Sequence, residues 1–532
     1  MTITNTTQIL MQIYIFTKYI IRIAATLFIL IIVLACGNPG NTLDDNLQGG
    51  SIKIGIRGWY ENISPLNEDS SPYSSWGPGI TYSRILNQKI SPNSNHNDQL
   101  SCDICKEWSM ASPTEFNFSI KDDVPWSTNN YEKDNYVSAY DIEFSIQKKL
   151  AAESQNKHTL HMVKNIEAKS DTKLTIYLKY PDADFLTAIA NGKNKIIKKD
   201  HPYKNTEVES LVGSGSWVLD EYIPYTSARM NKSLDSQNAP NLDSIEFTHI
   251  PDDQARYSAY VVGLTDIYSL DDSENNFGDI QPKLLYPHSG LGLEMIINTK
   301  NEPFDNIKLR QALMYSINPT QIAEEAWYGR GYFSLGFPVH SDNWLPSSTW
   351  EQYFNQPEKS SRILDESQKL LPIPIEITSS DYGKKYTKSL EIISKNLIDV
   401  GFDPTIKILN RRAYSTNSWL SGNFQISVGP TLPQTTPNGY LLPILHSTGK
   451  WNTSNYSTQK LDNLLMQQAQ EYSHLERTKL INAINLEILN GAHRFMPITT
   501  IEAWDWKDHI GNFNPIFKND EYSHWNYISL KK

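Results

Sequence analysis

The second half of the chain alternates strand and helix patterns, and this alternation constrains the fold more than any other feature. Residues 373–378 alternate apolar and polar side chains, as a strand with one buried face does. Residues 386–400 place apolar side chains on one helical face, and Gly401 is positioned to end that helix in a left-handed conformation. Residues 405–409 then return as a strand. Strands that alternate with helices predict the α/β class.

Elements of the same two kinds are predicted elsewhere in the chain. The predicted strands span 51–57, 116–120, 174–178, 295–298 and 424–428, and the predicted helices span 137–150, 307–317, 411–421, 459–472 and 474–490. Ser138 and Asn318 are the predicted N-caps of two helices. Ser473 with Glu476 matches a capping box, and Gly491 is expected to stop the helix that follows.

The beginning of the chain has the pattern of a bacterial lipoprotein signal. Two basic residues precede a 13-residue apolar run over 23–35, and a small residue stands before Cys36. Because a helix needs about 20 residues to span a bilayer, we expect cleavage before Cys36, acylation of its thiol and an extracytoplasmic, membrane-anchored protein. The alternative is an uncleaved anchor over residues 20–35. Translation begins at Met1 or at Met11.

The charge of the remaining chain limits the classes of partner. The first 35 residues hold two of the 48 basic residues and none of the 59 acidic ones, so the remainder has a formal charge of −13. An acidic chain of this kind is a poor candidate for nucleic-acid binding. Residues 37–50 are predicted to be a tether, and no later stretch approaches 18 consecutive apolar residues. The length predicts two to four compact lobes.

Two cysteines follow Cys36. Cys102 and Cys105 form a Cys-x-x-Cys pair, which in an oxidising compartment predicts a local disulfide. Free thiols are the alternative. One pair supplies too few ligands for a metal site, and a redox motif normally opens a helix in a thioredoxin-like unit.

The sequence carries no motif for catalysis or cofactor binding. It contains neither Gly-x-Ser-x-Gly nor His-Glu-x-x-His. His158 and His161 have no third ligand nearby in the sequence, which favours a solvated helix face. Gly213 and Gly215 lack the third glycine of a phosphate loop, so a structural turn is the better interpretation. We therefore expect no catalysis, no metal and no cofactor.

Several motifs in a fixed order point to a family. The first group is Asn298-Thr299, Pro303-Phe304-Asp305, Arg310-Gln311-Ala312-Leu313 and a helix after Asn318. The other blocks span 120–126, 139–145, 213–219 and 437–447, with Asn455-Tyr456 and Leu461-Asp462 after them. Together they resemble the family 5 extracytoplasmic solute-binding proteins, the peptide- and nickel-binding receptors of ABC importers. The resemblance covers some 400 residues of the chain.

The resemblance implies a two-lobed clamp of the periplasmic-binding-protein type II kind with an extra domain. Lobe I would be discontinuous, built from 51–82, 196–287 and 497–532, with 83–195 as the added domain II and 288–496 as lobe III. A solute would bind between lobes I and III, and closure around it would be the state that the transporter reads. The implied partners are a peptide or other small solute, ABC permease subunits with a cytoplasmic ATPase, and the membrane through the lipid; the protein would be a monomer.

The resemblance also places two loops at the cleft. The residues expected to contact the ligand are Trp59, Tyr60, Glu61, Asn62, Gly429, Thr431, Gln434 and Trp451. Arg411 and Arg412 begin a helix near the same edge and could meet an anionic ligand. Peptide-binding relatives hold the peptide amino terminus with an Asp in the second loop, where this chain has Pro433 or Gln434. Burying an ammonium group without a countercharge costs several kcal/mol. Either Glu61 replaces that acid, or the ligand is not a free peptide amine.

These inferences lead to one function and several alternatives. The prediction is a lipid-anchored solute-binding subunit of an ABC importer for peptides or peptide-like molecules. A metal chelate or an oligosaccharide is the alternative ligand. A sensory or chaperone-like binding lipoprotein, or an extracytoplasmic hydrolase, is the alternative class.

Overall fold

The fold is taken from a computed structural model, which describes residues 46–60, 63–65, 75–89, 100–127, 135–151, 160–204, 207–234, 236, 239–270, 280–332, 351–431, 436–515 and 520–531. The predicted signal, Cys36, His158, Glu61, Asn62 and Gln434 lie outside these residues. Within them, no helix combines the length and apolar character needed to span a bilayer.

The strands of the described chain are numerous and mostly short. They are Asn46–Leu47, Ser51–Ile56, Leu86–Gln88, Leu100–Cys102, Cys105–Ser112, Glu115–Ile120, Val163–Ser170, Lys173–Leu178, Trp217–Ile223, Ser227–Lys232, Ser244–His249, Ile267–Ser269, Leu284–Ile297, Gly331–Tyr332, Ile373–Ser380, Phe402–Leu409, Ile426–Pro430, Arg494–Trp506, Ile510–Gly511 and Ser529–Lys531. All seven predicted strands are confirmed as elements. The largest difference is at 295–298, which is the end of the 14-residue strand Leu284–Ile297.

The α-helices pack mainly on lobe III and on domain II. They are Ala139–Leu150, Phe185–Ile189, Asp253–Val261, Ile307–Ser316, Pro319–Gln321, Pro357–Glu366, Lys384–Val400, Arg411–Ala413, Pro437–Leu445, Gln459–Gln470 and His474–Gly491. Two of the short ones continue as π-helical turns, Ile322–Ala326 and Tyr414–Trp419. The predicted helix over 411–421 is therefore α-helical only in its first turn.

Local capping predictions had mixed outcomes. Ser138 caps its helix in a complete capping box with Asp141, and Gly401 ends its helix with a φ of 115°. The capping box at Ser473 was wrong, because the Ser473 side chain makes no cap hydrogen bond. Its backbone N–H instead donates to Glu471 Oε1 at 2.7 Å. Gly491 is the last helical residue, and Ala492 takes the left-handed conformation after it.

Two long strands connect lobes I and III within one eleven-stranded sheet. These crossing strands, Leu284–Ile297 and Arg494–Trp506, pair antiparallel with each other, and their register shifts between Pro287 and Gly292. Strands of lobe I join one end of the pair, and strands of lobe III join the other. The two lobes are therefore joined by continuous backbone hydrogen bonding, with an irregular segment in the middle.

Each of the three bodies has its own buried core. The lobe I core contains Ile52, Ile54 and Phe247, and the lobe III core surrounds Met295 and Ile377. Domain II has a four-stranded antiparallel sheet covered by the helix Ala139–Leu150, with a separate core. The boundaries drawn from the resemblance stay a prediction, since a core does not define where a domain begins.

The cysteine pair and the glycine pair that the sequence singles out both have a role in holding the fold together. Cys102 and Cys105 form a disulfide, with their Cα atoms 4.9 Å apart. The Gly215 N–H donates to Thr81 O at 2.8 Å, and a Cβ on Gly213 would lie 2.2 Å from the same oxygen. The glycine pair thus allows two segments of backbone to approach closely. Gly213 forms a β-bridge with Ser127, and the chain bends at 215–216.

Candidate functional site

The strand directions define where a ligand site can form. In lobe III, Ile426–Pro430 runs antiparallel to the crossing strand, and Pro430 lies opposite Leu293. In lobe I, Ile267–Ser269 runs antiparallel to the other crossing strand, and Ser269 lies opposite Trp504. From opposite sides, both strands therefore run toward the middle of the crossing strands. Their parallel neighbours share these directions, so the carboxyl ends of both parallel groups face one crevice, the usual ligand position in open α/β sheets.

The lobe I side of this crevice carries an aromatic cluster. Trp59 follows the strand Ser51–Ile56, and its ring centroid lies 4.3 Å from that of Tyr60, 6.2 Å from that of Tyr222 and 5.2 Å from that of His249. His249 ends the strand parallel to Ser51–Ile56, and Tyr222 comes from the adjoining hairpin. We call these four residues the lobe I aromatic cluster.

Within the lobe I aromatic cluster the rings differ in access. Tyr60 is only 2% exposed and belongs to the lobe core, whereas Trp59, Tyr222 and His249 are half-buried. The Tyr222 hydroxyl donates to Tyr60 O at 3.0 Å, which fixes the loop after the first strand. Burial raises the pKa of Tyr60 well above its ordinary value, so its hydroxyl stays protonated. Tyr60 therefore supports the loop, and the half-buried rings are the ones accessible to a ligand.

Two tyrosines and an arginine form the lobe III side. Tyr382 follows the strand Ile373–Ser380, and its ring centroid lies 5.8 Å from that of Tyr414. The exposed Arg411 guanidinium lies 5.4 Å from the Tyr382 ring centroid, and its Nε donates to Asp381 O at 3.1 Å. Tyr414 is bonded to Ser427 Oγ at 2.7 Å, and its hydroxyl would be 3.0 Å from a Cβ on Gly429. The absence of a side chain at Gly429 leaves room for this tyrosine.

A buried ion pair lies behind the second predicted loop. Arg494 Nε donates to Glu294 Oε1 at 2.6 Å, Nη2 donates to Oε2 at 3.1 Å, and the Tyr440 hydroxyl donates to Oε1 at 2.6 Å. Burial by itself lowers the pKa of Arg494, but the Glu294 carboxylate outweighs this and raises it. Glu294 lies opposite Gly429 in the sheet, yet it is already paired. It is therefore unsuited to binding a ligand cation.

The second predicted loop is tied to the middle of the crossing strands. The Thr431 N–H donates to Gly292 O at 3.1 Å, and the Gly292 N–H donates to Thr431 Oγ1 at 3.1 Å. Gly292 is also packed so closely that a Cβ there would lie 1.9 Å from Ile498 O. Any movement of the irregular segment would therefore be passed directly to the loop.

The structure brings together only some of the predicted contact residues. Trp59 and Tyr60 lie at the lobe I side, and Gly429 and Thr431 lie at the lobe III side of the crevice. Trp451 packs in a separate lobe III core with the helix Pro437–Leu445. The roles of all these residues in binding stay predictions. Sequence reasoning missed Tyr222, His249, Tyr382 and Tyr414, because single aromatic residues near strand ends or in a short helical turn carry no local signal.

The described residues were also compared with the arrangements that bind metal ions. Among these residues, no three His, Cys, Asp or Glu side chains come together in a way that could hold a metal ion. A cavity of about 50 Å³ at the seam of domain II and lobe I is lined by Arg84, Asp103, Lys121 and several hydroxyl groups. Its volume suits a few waters, since one water occupies roughly 10–15 Å³ by this measure.

Comparison with known proteins identifies the family. The model of the bacterial extracellular solute-binding proteins, family 5 Middle, matches residues 99–452. The chain belongs to this family. It is 20% identical over 391 residues to the dipeptide-binding protein of Escherichia coli K12, covering 66% of this chain and 72% of that protein. It is 23% identical over 436 residues to heme-binding protein A of Haemophilus influenzae, covering 73% and 77%.

Solved structures show the same fold. The murein tripeptide-binding protein MppA in its unliganded open form superposes with a TM-score of 0.77 at 17% identity, covering 91% of this chain and 98% of that one. DppA of Helicobacter pylori in complex with the peptide STSA gives 0.67 at 16% identity, covering 92% and 99%. The fold is thus the type II periplasmic-binding-protein fold expected from the resemblance.

Proposed function

We propose that this family 5 protein is the lipid-anchored extracytoplasmic binding subunit of an ABC importer, and that it captures peptides or peptide-like solutes by closing lobes I and III. The observation that carries the proposal is the convergence of both groups of parallel strands on one crevice at the middle of the crossing strands. Ligand contacts made with both lobes at once would exist only in the closed state, so a ligand would shift the population toward closure.

The similarity to solved structures supports an open arrangement of the lobes here. The unliganded open form of MppA gives a TM-score of 0.77, whereas AppA of Bacillus subtilis in complex with a nonapeptide gives 0.65. The two values are obtained at the same 17% identity. We infer that lobe III must rotate toward lobe I to complete the site.

The charges of the described residues favour a ligand whose backbone is hydrogen-bonded by the protein and which stacks on the protein's aromatic rings. Gly429, Pro430 and Thr431 offer no carboxylate, and Glu294 is paired with Arg494. Rings are available on both sides of the crevice, in the lobe I aromatic cluster and at Tyr382. Similarity to heme-binding protein A makes a planar metal chelate the second candidate ligand, because the same rings suit it.

A peptide-capture experiment tests the proposal. The purified chain is mixed with a defined pool of dipeptides to pentapeptides, and unbound peptide is removed. The retained peptides are then released and identified by mass spectrometry. We expect a subset retained unchanged at one per protein molecule. Retention of none would contradict the peptide assignment, and recovery of hydrolysed fragments would favour the hydrolase.

Trp59→Ala should weaken binding of any retained peptide by about two- to tenfold from the lost stacking alone, since stacking against an aromatic ring contributes about 0.5–1.5 kcal/mol beyond the area that it buries. Trp108→Ala is the matched control, because Trp108 lies in the domain II strand Cys105–Ser112 and is 39% exposed. Isothermal titration calorimetry measures both. Equal losses in the two variants would remove Trp59 from the site.

Glu61→Gln addresses the missing acid in the second loop. If Glu61 holds a ligand ammonium group, the uncharged variant should lose two or more orders of magnitude in affinity for free peptides, because it leaves a buried cation unpaired. Peptides with an acetylated amino terminus serve as the matched ligands, and their affinity should be unaffected. Unchanged calorimetric affinity for free peptides would exclude this role.

A further inference from the structure

Domain II is firmly attached to lobe I. The Arg84 guanidinium donates to both Glu521 carboxylate oxygens, at 2.6 and 3.1 Å, and both side chains are fully buried. The Glu521 carboxylate also accepts the backbone N–H groups of Gln88 and Ser523, each at 2.7 Å. The Ser127 N–H of domain II donates to Gly213 O of lobe I at 2.7 Å, and the Ser127 and Ser233 hydroxyls are hydrogen-bonded at 2.9 Å. A rotation of lobe III relative to lobe I is therefore also a rotation relative to domain II.

Domain II also contacts lobe III through a compact polar cluster. The backbone N–H of Asn438 donates to Asp184 Oδ2 at 2.6 Å, and its side-chain amide donates to Asp182 Oδ1 at 2.8 Å. Arg477 forms an ion pair with Asp184 Oδ1. Between the two acids, the Ala183 N–H donates to Ala469 O at 2.8 Å. We call Asp182, Asp184, Asn438 and Arg477 the clasp.

The clasp is close in sequence to the proposed ligand site. Asn438 belongs to the first turn of the helix Pro437–Leu445, whose N-cap is Thr436. That helix begins directly after the second predicted loop, of which Thr431 is hydrogen-bonded to Gly292 in the crossing strand. Asp184 thus binds a free backbone N–H at the start of the helix, where a carboxylate is favoured. Domain II and the crossing strands hold the two ends of the same segment.

We propose that the clasp restrains lobe III in the arrangement seen here, and that it must open for the lobes to close around a solute. This inference rests on the proposed function, because it assigns the clasp to the same closing movement. Domain II cannot follow lobe III, since the buried Arg84–Glu521 pair holds it on lobe I. The clasp would thereby set the population of the closed state before any ligand arrives.

The charges of the clasp are unbalanced, which makes it adjustable. Asp182 is 1% exposed, and among the described residues no donor lies within hydrogen-bonding distance of its Oδ2. Burial, followed by the neighbouring Asp184 carboxylate, raises the pKa of Asp182 to about 6. The other ionisable groups facing it are His161, Tyr180, Tyr472 and Arg477. They come from both domain II and lobe III.

The sign of the pH effect follows from the raised pKa. The ionised form of Asp182 is disfavoured inside the clasp, so protonation strengthens the contact. The stabilisation that this proton gives to the clasp is complete below the ordinary pKa of 3.8, and it is lost as the pH rises through the raised pKa of about 6. The clasp should therefore be tighter at pH 5 than at pH 7.5.

Two substitutions should act in opposite directions. Arg477→Met leaves the buried Asp184 carboxylate without its cation, so it should loosen the clasp. Asp182→Asn removes the charge that repels Asp184 and keeps an acceptor oxygen for the Asn438 amide, so it should tighten the clasp. Lys479→Met is the control, because Lys479 lies on the same helix and its ion pair among the described residues is with Glu476 of that helix, at 2.7 Å.

The test is the distance between lobes in the full chain without added ligand, measured by double electron–electron resonance. Spin labels are attached to a ketone-bearing unnatural amino acid, not to cysteine. That amino acid replaces the exposed residues at positions 220 in lobe I and 395 in lobe III. For Arg477→Met we expect the ratio of short to long distances to rise about tenfold or more. Asp182→Asn, and wild type at pH 5, should lower it. Lys479→Met should leave it unchanged.

Unchanged distances in Arg477→Met, or changes of the same sign in Arg477→Met and Asp182→Asn, would overturn the clasp. An effect of Lys479→Met equal to that of Arg477→Met would overturn it as well. These outcomes leave the peptide-capture result untouched. A chain that captures no peptide but shows the predicted distance shifts would instead contradict the proposed ligand and keep the clasp.

Discussion

Replacing Arg84 by methionine should lower the free energy of unfolding by about 3–5 kcal/mol, because the substitution leaves the Glu521 carboxylate buried without a cation. Burial alone would raise the pKa of Glu521, but Arg84 outweighs burial and lowers it below the ordinary 4.5. The contribution of the pair is therefore present at neutral pH and is lost only as the pH falls through that lowered pKa. Urea denaturation followed by tryptophan fluorescence measures the change.

Arg229→Met is the matched control for this prediction. Arg229 pairs with Glu221 at 3.1 Å on the surface of lobe I, with both side chains nearly half exposed. Surface pairs of this kind contribute about 0–1 kcal/mol, so the urea midpoint should barely move. Similar shifts in the two variants would mean that the seam between domain II and lobe I does not depend on the buried pair. The proposed clasp requires domain II to be held on lobe I by this pair, and such a result would contradict that requirement.

Replacing Cys36 by serine should release most of the protein from the membrane fraction of its host. Without the thiol no acyl chain can be attached, and two or more chains are what make such anchoring stable, at about 0.8 kcal/mol per buried methylene. Fractionation followed by immunoblotting measures the distribution, and Cys102→Ser is the control for loss of a cysteine. That control keeps Cys36 and should remain with the membranes.

The opposite result would favour the uncleaved anchor. A Cys36→Ser protein that stays in the membrane fraction, with a mass that includes residues 20–35, would show that the apolar run itself is the anchor. Intact mass measurement separates this case from the processed lipoprotein, because cleavage before Cys36 removes 35 residues from the full sequence.

The sequence predicted the elements whose patterns are local. The strand, helix and strand over 373–409 were found because apolar periodicity and Gly401 act within a few residues. The long strand Leu284–Ile297 was found only at its end. Its first half contains Pro287 and Gly290 and pairs with residues 214 to 220 positions later, so no local alternation marks it.

The site and the clasp were beyond a local analysis for the same reason. Trp59 is 163 residues from Tyr222, and Asp184 is 293 residues from Arg477 in the sequence. In the sequence each residue alone carries no sign of a role in a site or contact, and only the folded chain brings the groups together. The failed capping box at Ser473 shows the converse, because a correct local pattern lost to a competing acceptor, Glu471.

Native mass spectrometry of the protein purified from its own host addresses the main proposal most directly. If two lobes enclose a small solute without altering it, the spectrum should contain the intact chain with a single small adduct. Mild activation should then release that adduct as an unmodified molecule. A spectrum that shows only the bare chain under every growth condition of the host, or only cleaved products, would contradict the assignment of this protein as a solute-binding subunit.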